Sequence, residues 1–382
     1  MTQQYTQLGI FSDWVDEARR QGPLFPEAAP GPETQRRVRE SLGFCAGPEA
    51  PQDERVEARW ERDGVVGEEV SWSVGYGPRT HAYVLKHAGA AGPLPGVIAL
   101  HDHGAFKFYG KEKIADGPAD PPPVLAAYRD TYYGSRAWAN ALAREGYVVV
   151  VPDTFLWSSR GFPLEVMLDQ VGDDTAAALA MFPPTDGTPF EIARYNTAAL
   201  FHEHIASKYC NVLGTTMAGV VAHEDRIAVS YLLSRPDVVA DRASCIGLSG
   251  GGNRAALLNA TDERIAAAVI VGLMCTYPGL LDHNISTHTW MLFPFGWARH
   301  GDWPDLAACR APSPLLVQYD LDDDLFTPEG MAAAHDRLTR IFAGVGAPGA
   351  YTGQFYPGPH RFDLAMQAEA FAWLKRFSGD NG

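Results

Sequence analysis

The spacing of apolar positions along this chain changes near residue 96. Before that point, residues 56–60, 65–74 and 80–85 alternate apolar and polar side chains between turn residues. That is the period of strands, and it predicts an antiparallel entry to a sheet. After it, residues 97–100, 147–151, 245–248, 267–271 and 314–319 are continuous apolar runs, the pattern of strands buried on both faces. Helical spacing falls between these runs, over residues 135–145, 217–234, 253–260 and 328–342, and a last helix is expected near 362–377. Strands alternating with helices predict a doubly wound, mostly parallel α/β sheet with helices on both faces. Residues 11–20 and 33–42 also have helical spacing, separated by a Pro-rich link at 23–32. The expected organisation is a helical extension over 1–50 and one α/β domain over 51–382.

Two stretches do not follow either period. Residues 105–134 are rich in Gly, Pro and Tyr and read as a long loop over one end of the sheet. Residues 275–305 carry Trp290, Phe293, Phe295, Trp297 and Trp303 in an irregular setting and read as a lid-like insertion. Long irregular segments of a compact domain are often binding loops.

Composition narrows the functional classes. The 382 residues are 46% hydrophobic, enough for a large core, and carry a formal net charge of -15. Such acidity disfavours nucleic acid and anionic membrane surfaces as partners. The five cysteines, Cys45, Cys210, Cys245, Cys275 and Cys309, are widely spaced and form no C-x-x-C pair, which argues against a disulfide framework or a zinc ribbon. The first residues show no basic region followed by an apolar run, and no apolar stretch approaches a membrane span. A soluble cytoplasmic protein is expected. Oligomeric state is not fixed by these features, and a homo-oligomer is compatible with them.

The chemistry is carried by Gly247-Leu248-Ser249-Gly250-Gly251. An apolar strand precedes this Gly-x-Ser-x-Gly and a small-residue helix follows it, the context of a nucleophile elbow. Gly247 and Gly251 allow strand and helix to approach, and the N–H of Gly250 is left to face an oxyanion. A serine nucleophile needs a base, and the base an orienting carboxylate. His360, in the turn Tyr356-Pro357-Gly358-Pro359-His360 between a strand and the final helix, is the candidate base. His335 lies in a helical pattern, whereas His283, His288 and His300 belong to the lid-like insertion and could touch substrate. The acid is expected after the strand at 314–319, where Asp320, Asp322, Asp323 and Asp324 crowd one loop. Asp323 matches D-x-x-[VF]-x-P, with Phe326 and Pro328 following, and Asp324 and Asp322 stand behind it as alternatives. A second oxyanion donor is expected from the loop His101-Asp102-His103-Gly104, at the N–H of His103 or a neighbour. It is similar to an H-G-x-G loop with Asp102 at a glycine position. Phe106, Phe108, Tyr109, Trp290 and Phe293 are candidates for an apolar substrate pocket, with core packing the commoner role for any one of them. His101-x-His103 and His202-x-His204 lack third and fourth ligands at recognisable spacing, so neither a metal nor another cofactor is expected.

The helix at 224–236, the elbow, the Asp323 loop and the Pro357-Gly358-Pro359-His360 turn together resemble the α/β-hydrolase superfamily, and most closely its acetyl xylan esterase-like and dienelactone hydrolase-like members. The resemblance covers about residues 95–378 and leaves the first 50 outside the common core. It implies a serine carboxylic-ester hydrolase with Ser249 as nucleophile, His360 as base and Asp323 as its orienter, acting on a small-molecule ester or lactone. A lactonase, a C–C hydrolase or an acyl transferase or cyclase of secondary metabolism would use the same three residues. A non-catalytic binding relative, which would usually lack one of the three, ranks last.

Overall fold

A computed structural model describes residues 4–43, 49–184 and 187–377; Cys45 lies outside them. Nine strands form a single sheet among the described residues: β1 (Gln52–Arg62), β2 (Val65–Ser73), β3 (Thr80–His87), β4 (Leu94–Leu100), β5 (Val148–Pro152), β6 (Val238–Leu248), β7 (Ile265–Val271), β8 (Leu315–Asp320) and β9 (Tyr351–Tyr356). The spatial order is β1-β2-β3-β5-β4-β6-β7-β8-β9. β1, β2, β3 and β5 pair antiparallel, and every pair from β5 to β9 is parallel. Both expectations for the sheet are therefore met, the antiparallel entry and the parallel core.

The patterning explains this arrangement. β5 reads Val-Val-Val-Val-Pro and is buried throughout, as a strand covered on both faces requires. β1, at the sheet edge, is largely exposed and dense in Arg, Asp and Glu, which discourages pairing with another chain. One apolar cluster fills the face under helices Met217–Ser234, Gly250–Thr261 and Pro328–Gly344. A second fills the face under Trp138–Arg144 and Leu364–Lys375.

Two regions depart from the sequence pattern. Within 105–134 the expected loop contains a helix, Pro123–Tyr133, which starts at a proline and ends at Gly134 in the left-handed region, a conformation glycine adopts without penalty. Residues 152–216, for which the pattern yields no element, hold helices Asp169–Met181 and Phe190–Val212. The N-terminal helix Pro32–Leu42 buries Val38 and Leu42 in the first cluster. The N-terminal segment also clamps the 275–305 insertion, where Arg299 Nη1 donates to the carbonyls of Ala18 and Gly22 at 2.9 Å each. No helix among the described residues is long and apolar enough to cross a membrane.

Candidate active site

The parallel strands end level with one another, and their C-terminal ends carry the site, where open α/β sheets bind ligands. Leu100 pairs with Gly247, Leu248 with Val271, Val271 with Gln318, and Asp320 with Tyr356. The loops after β4, β6, β8 and β9 therefore open side by side. They hold His103, Ser249, Asp323 and His360 respectively.

Ser249 has φ 56° and ψ -120°. A non-glycine residue seldom adopts this backbone, and it persists only where the surroundings impose it. Here its N–H donates to Val271 O at 2.8 Å. The neighbouring glycines make the turn feasible: a Cβ on Gly247 would sit 2.5 Å from the Gly251 carbonyl carbon and 2.7 Å from Leu100 O. Behind the elbow, Arg254 is fully buried and grips Asp225 at 2.6 Å while donating to His101 O at 3.4 Å. The helix Gly250–Thr261 is thereby tied to its neighbour Met217–Ser234 and to the loop after β4.

His360 Nδ1 lies 2.6 Å from Asp323 Oδ2, and Asp323 Oδ1 accepts the Leu325 N–H at 2.9 Å. Burial pulls the imidazole down, but the hydrogen bond and charge of Asp323, with Asp320 and Asp102 adding to them, outweigh it and leave it above the ordinary histidine value. Among the neighbouring carboxylates, Asp322 Oδ2 accepts the Gly358 N–H at 2.7 Å and pins the histidine loop. Asp324 is exposed. Asp323 is thus the carboxylate of this trio that reaches the imidazole.

The two expected oxyanion donors adjoin. A Cβ on Gly250 would lie 2.5 Å from His103 N. Gly250 opens the nucleophile helix, so its N–H has no acceptor within it, and the His103 N–H has none among the described residues. Asp102, at the unusual position, faces away from solvent: Tyr128 and Tyr133 both donate to its carboxylate, and Lys113 Nζ lies 3.2 Å from it. The loop is held from behind by a buried charge cluster.

Glu203, which sequence reasoning passed over, holds the loop from the other side. It comes from the helix Phe190–Val212. Its Oε2 accepts from His103 Nε2 at 2.9 Å and from the fully buried Lys107, and its Oε1 accepts from Thr289 Oγ1 at 2.9 Å and from Trp290 N at 3.2 Å. His103 Nδ1 accepts the Ala105 N–H at 3.1 Å, so the proton sits on Nε2. Burial would raise the Glu203 carboxyl, but Lys107 and His103 hold it well below the usual carboxylate range. The signal in the sequence was a 23-residue stretch free of Gly and Pro after Pro189, with Glu203 between the two histidines considered for metal.

Ser249, Gly250, His103 and His360 line one cavity of about 510 Å³. Its walls include Leu200, Phe201, Leu248, Leu273, Leu292 and Phe326, with hydroxyls from Ser286, Thr287 and Thr289; Asp102 and Glu203 also line it, and no Lys or Arg does. The 275–305 insertion thus forms part of the wall. His288 lines the cavity but donates through Nε2 to Leu325 O at 3.0 Å, and burial lowers its pKa to about 4. His283 similarly caps Asp324 O at 2.8 Å. The pocket aromatics chosen from sequence lie elsewhere. Phe106 packs with Leu125 and Ile192, and Tyr109 packs against that cluster. Phe108 stands edge-on to Tyr195. Phe293 stacks on Tyr277, and Trp290 donates to His204 Nδ1 at 2.9 Å. Tyr128 and Tyr132 are the tyrosines that reach the cavity. His101 is buried behind the loop, and His202 packs on Phe162.

A structure from Bacteroides fragilis, provisionally described as an acetyl xylan esterase, superposes with a TM-score of 0.63 at 17% identity, over 85% of this chain and 73% of that one. A glucuronoyl esterase from Solibacter usitatus gives 0.58 at 15% identity, over 90% and 91%. This chain has the α/β-hydrolase fold. A Bacillus subtilis (strain 168) protein provisionally named hydrolase YtaP is 25% identical over 297 residues, 78% of this chain and 83% of that protein. No family model matches the chain.

Proposed function

We propose that the protein hydrolyses a carboxylic ester without a free anionic group through an acyl-enzyme on Ser249. The observation that carries this reading is a single cavity that gathers Ser249, His360 and the adjoining N–H groups of Gly250 and His103. His360, oriented by Asp323, takes the Ser249 proton as Oγ bonds to the ester carbonyl carbon. The carbonyl electron pair moves onto oxygen, where the two N–H groups hold it. The C–O bond to the alcohol then breaks as His360 returns its proton to the leaving oxygen. Water, deprotonated by the same imidazole, releases the acid and restores Ser249.

The cavity volume suits a small molecule, and walls without Lys or Arg favour a substrate without a free carboxylate or phosphate. Aliphatic and aromatic walls beside three hydroxyls suit an ester that is part apolar and part hydroxylated. The described cysteines are unpaired and buried, which supports a reducing compartment such as the cytoplasm.

The test is Ser249→Ala. Turnover of p-nitrophenyl acetate is expected to fall by about 10⁶, with the melting temperature kept and fluorophosphonate labelling of residue 249 lost. Full turnover in that variant would refute the assignment.

A further inference from the structure

A further carboxyl of the Asp323 loop lies at the site. Asp320, the last residue of β8, is buried, and one of its carboxylate oxygens, one from Asp323 and a ring nitrogen of His360 all lie within 4.8 Å of one another. Asp320 Oδ2 accepts the Arg361 N–H at 3.1 Å.

The backbone opposite leaves room for this approach. Gly272, just past β7, has φ +55°, and a Cβ there would lie 3.0 Å from Asp320 Oδ2 and 3.2 Å from His360 Cε1. Asp320 and the Cε1 edge of the ring therefore share one small space, while Asp323 occupies Nδ1. We propose that Asp320 is a second carboxyl partner of His360, a positioning residue that joins Asp323 in holding the imidazolium formed when Ser249 loses its proton. The proposal rests on the reading of Ser249 and His360 as nucleophile and base.

The electrostatics agree with the geometry. Burial pushes the Asp320 carboxyl up to about 7, opposed by the Arg361 N–H and by His360, while Asp323 adds to the rise and the Arg361 charge opposes it. Burial thus keeps the Asp320 proton bound to a higher pH than an ordinary carboxyl holds its own. Once ionised it favours the protonated ring, as Asp323 and Asp102 also do. Placing a negative charge beside a developing imidazolium lowers the barrier to proton transfer from Ser249.

The experiment compares Asp320→Asn, Asp323→Asn and the double variant, reading kcat/KM for p-nitrophenyl acetate against pH. Fluorophosphonate labelling of the unaltered enzyme reports separately on Ser249, so failure of the parent reading is distinguishable. In Asp320→Asn the acid limb should move to lower pH by about half a unit or more. The double variant should fall roughly tenfold or more below Asp323→Asn alone, because Asp320 supports the ring when Asp323 is neutral. Should Asp320→Asn fold poorly, Asp320→Ala serves in its place. The His360 ring titration by NMR in Ser249→Ala, with and without the Asp320 change, reads the same shift without catalysis. An acid limb and ring titration that superpose on those of the parent, with a double variant no lower than Asp323→Asn, would overturn the proposal.

Discussion

Replacing Glu203 by alanine tests how the oxyanion loop is held. The change strips Lys107, which has no exposed surface, of its counter-ion. It also removes the acceptor for His103 Nε2, Thr289 Oγ1 and the Trp290 N–H. Breaking a buried pair from one side destabilises by about 3–5 kcal/mol, since the remaining charge stays buried. At about 2.1 cal/mol/K per residue, a chain of this length unfolds with an entropy of roughly 0.8 kcal/mol/K, so the midpoint should drop by about 4–6 °C. The catalytic effect comes through His103. Losing one oxyanion donor costs about 10²–10³ in kcat, which bounds the effect of a loosened loop from above. Thermal scanning and initial rates on p-nitrophenyl acetate, run in parallel, check both. Glu203→Gln separates the contributions, because it retains an acceptor for Thr289 while removing the charge opposite Lys107. An alanine variant with unchanged midpoint and unchanged kcat would refute the claim that this carboxylate anchors the loop.

Other consequences can be measured with the same substrate. If His360 is the base, activity requires it neutral, and its carboxylate partners raise its pKa, so kcat/KM should rise with pH through a midpoint above the ordinary value of about 6.5; a midpoint well below that value would contradict the pairing with Asp323. Gly250→Ala drives a methyl group to 2.5 Å from His103 N and should lower kcat by roughly 10²-fold or more, with a stability loss of about 1–3 kcal/mol as the loop is pushed aside. Asp102→Ala leaves Lys113 buried without its carboxylate and should lower stability by about 3–5 kcal/mol, read by denaturant unfolding.

The trio proposed for catalysis was legible as a constellation because each member sits in a short local pattern: a strand-to-helix turn, an aspartate loop with Phe326 and Pro328, and a histidine turn before a helix. The strands were legible because burial on both faces leaves runs such as Val148 to Val151 with no polar interruption. What surrounds Ser249 was not. Phe106 and Phe293 are aromatic residues in irregular segments, and sequence cannot tell whether such a ring turns inward to a cluster or outward to a cavity; both turn inward. The helix Phe190–Val212 has polar and apolar residues on every side because it touches the sheet domain, the insertion and solvent at once. No single stripe marks it, and Glu203 went unread.

That helix has a consequence for variation among relatives. It belongs to a segment inserted between β5 and Met217–Ser234, the kind of position where chains exchange material freely. Yet through Glu203 it tethers the loop that presents the His103 N–H. Trimming or grafting this hairpin to admit a different ester would therefore retune turnover together with substrate choice. A replacement hairpin would have to bring its own carboxylate to the histidine, or the enlarged cavity would open onto a slack oxyanion loop.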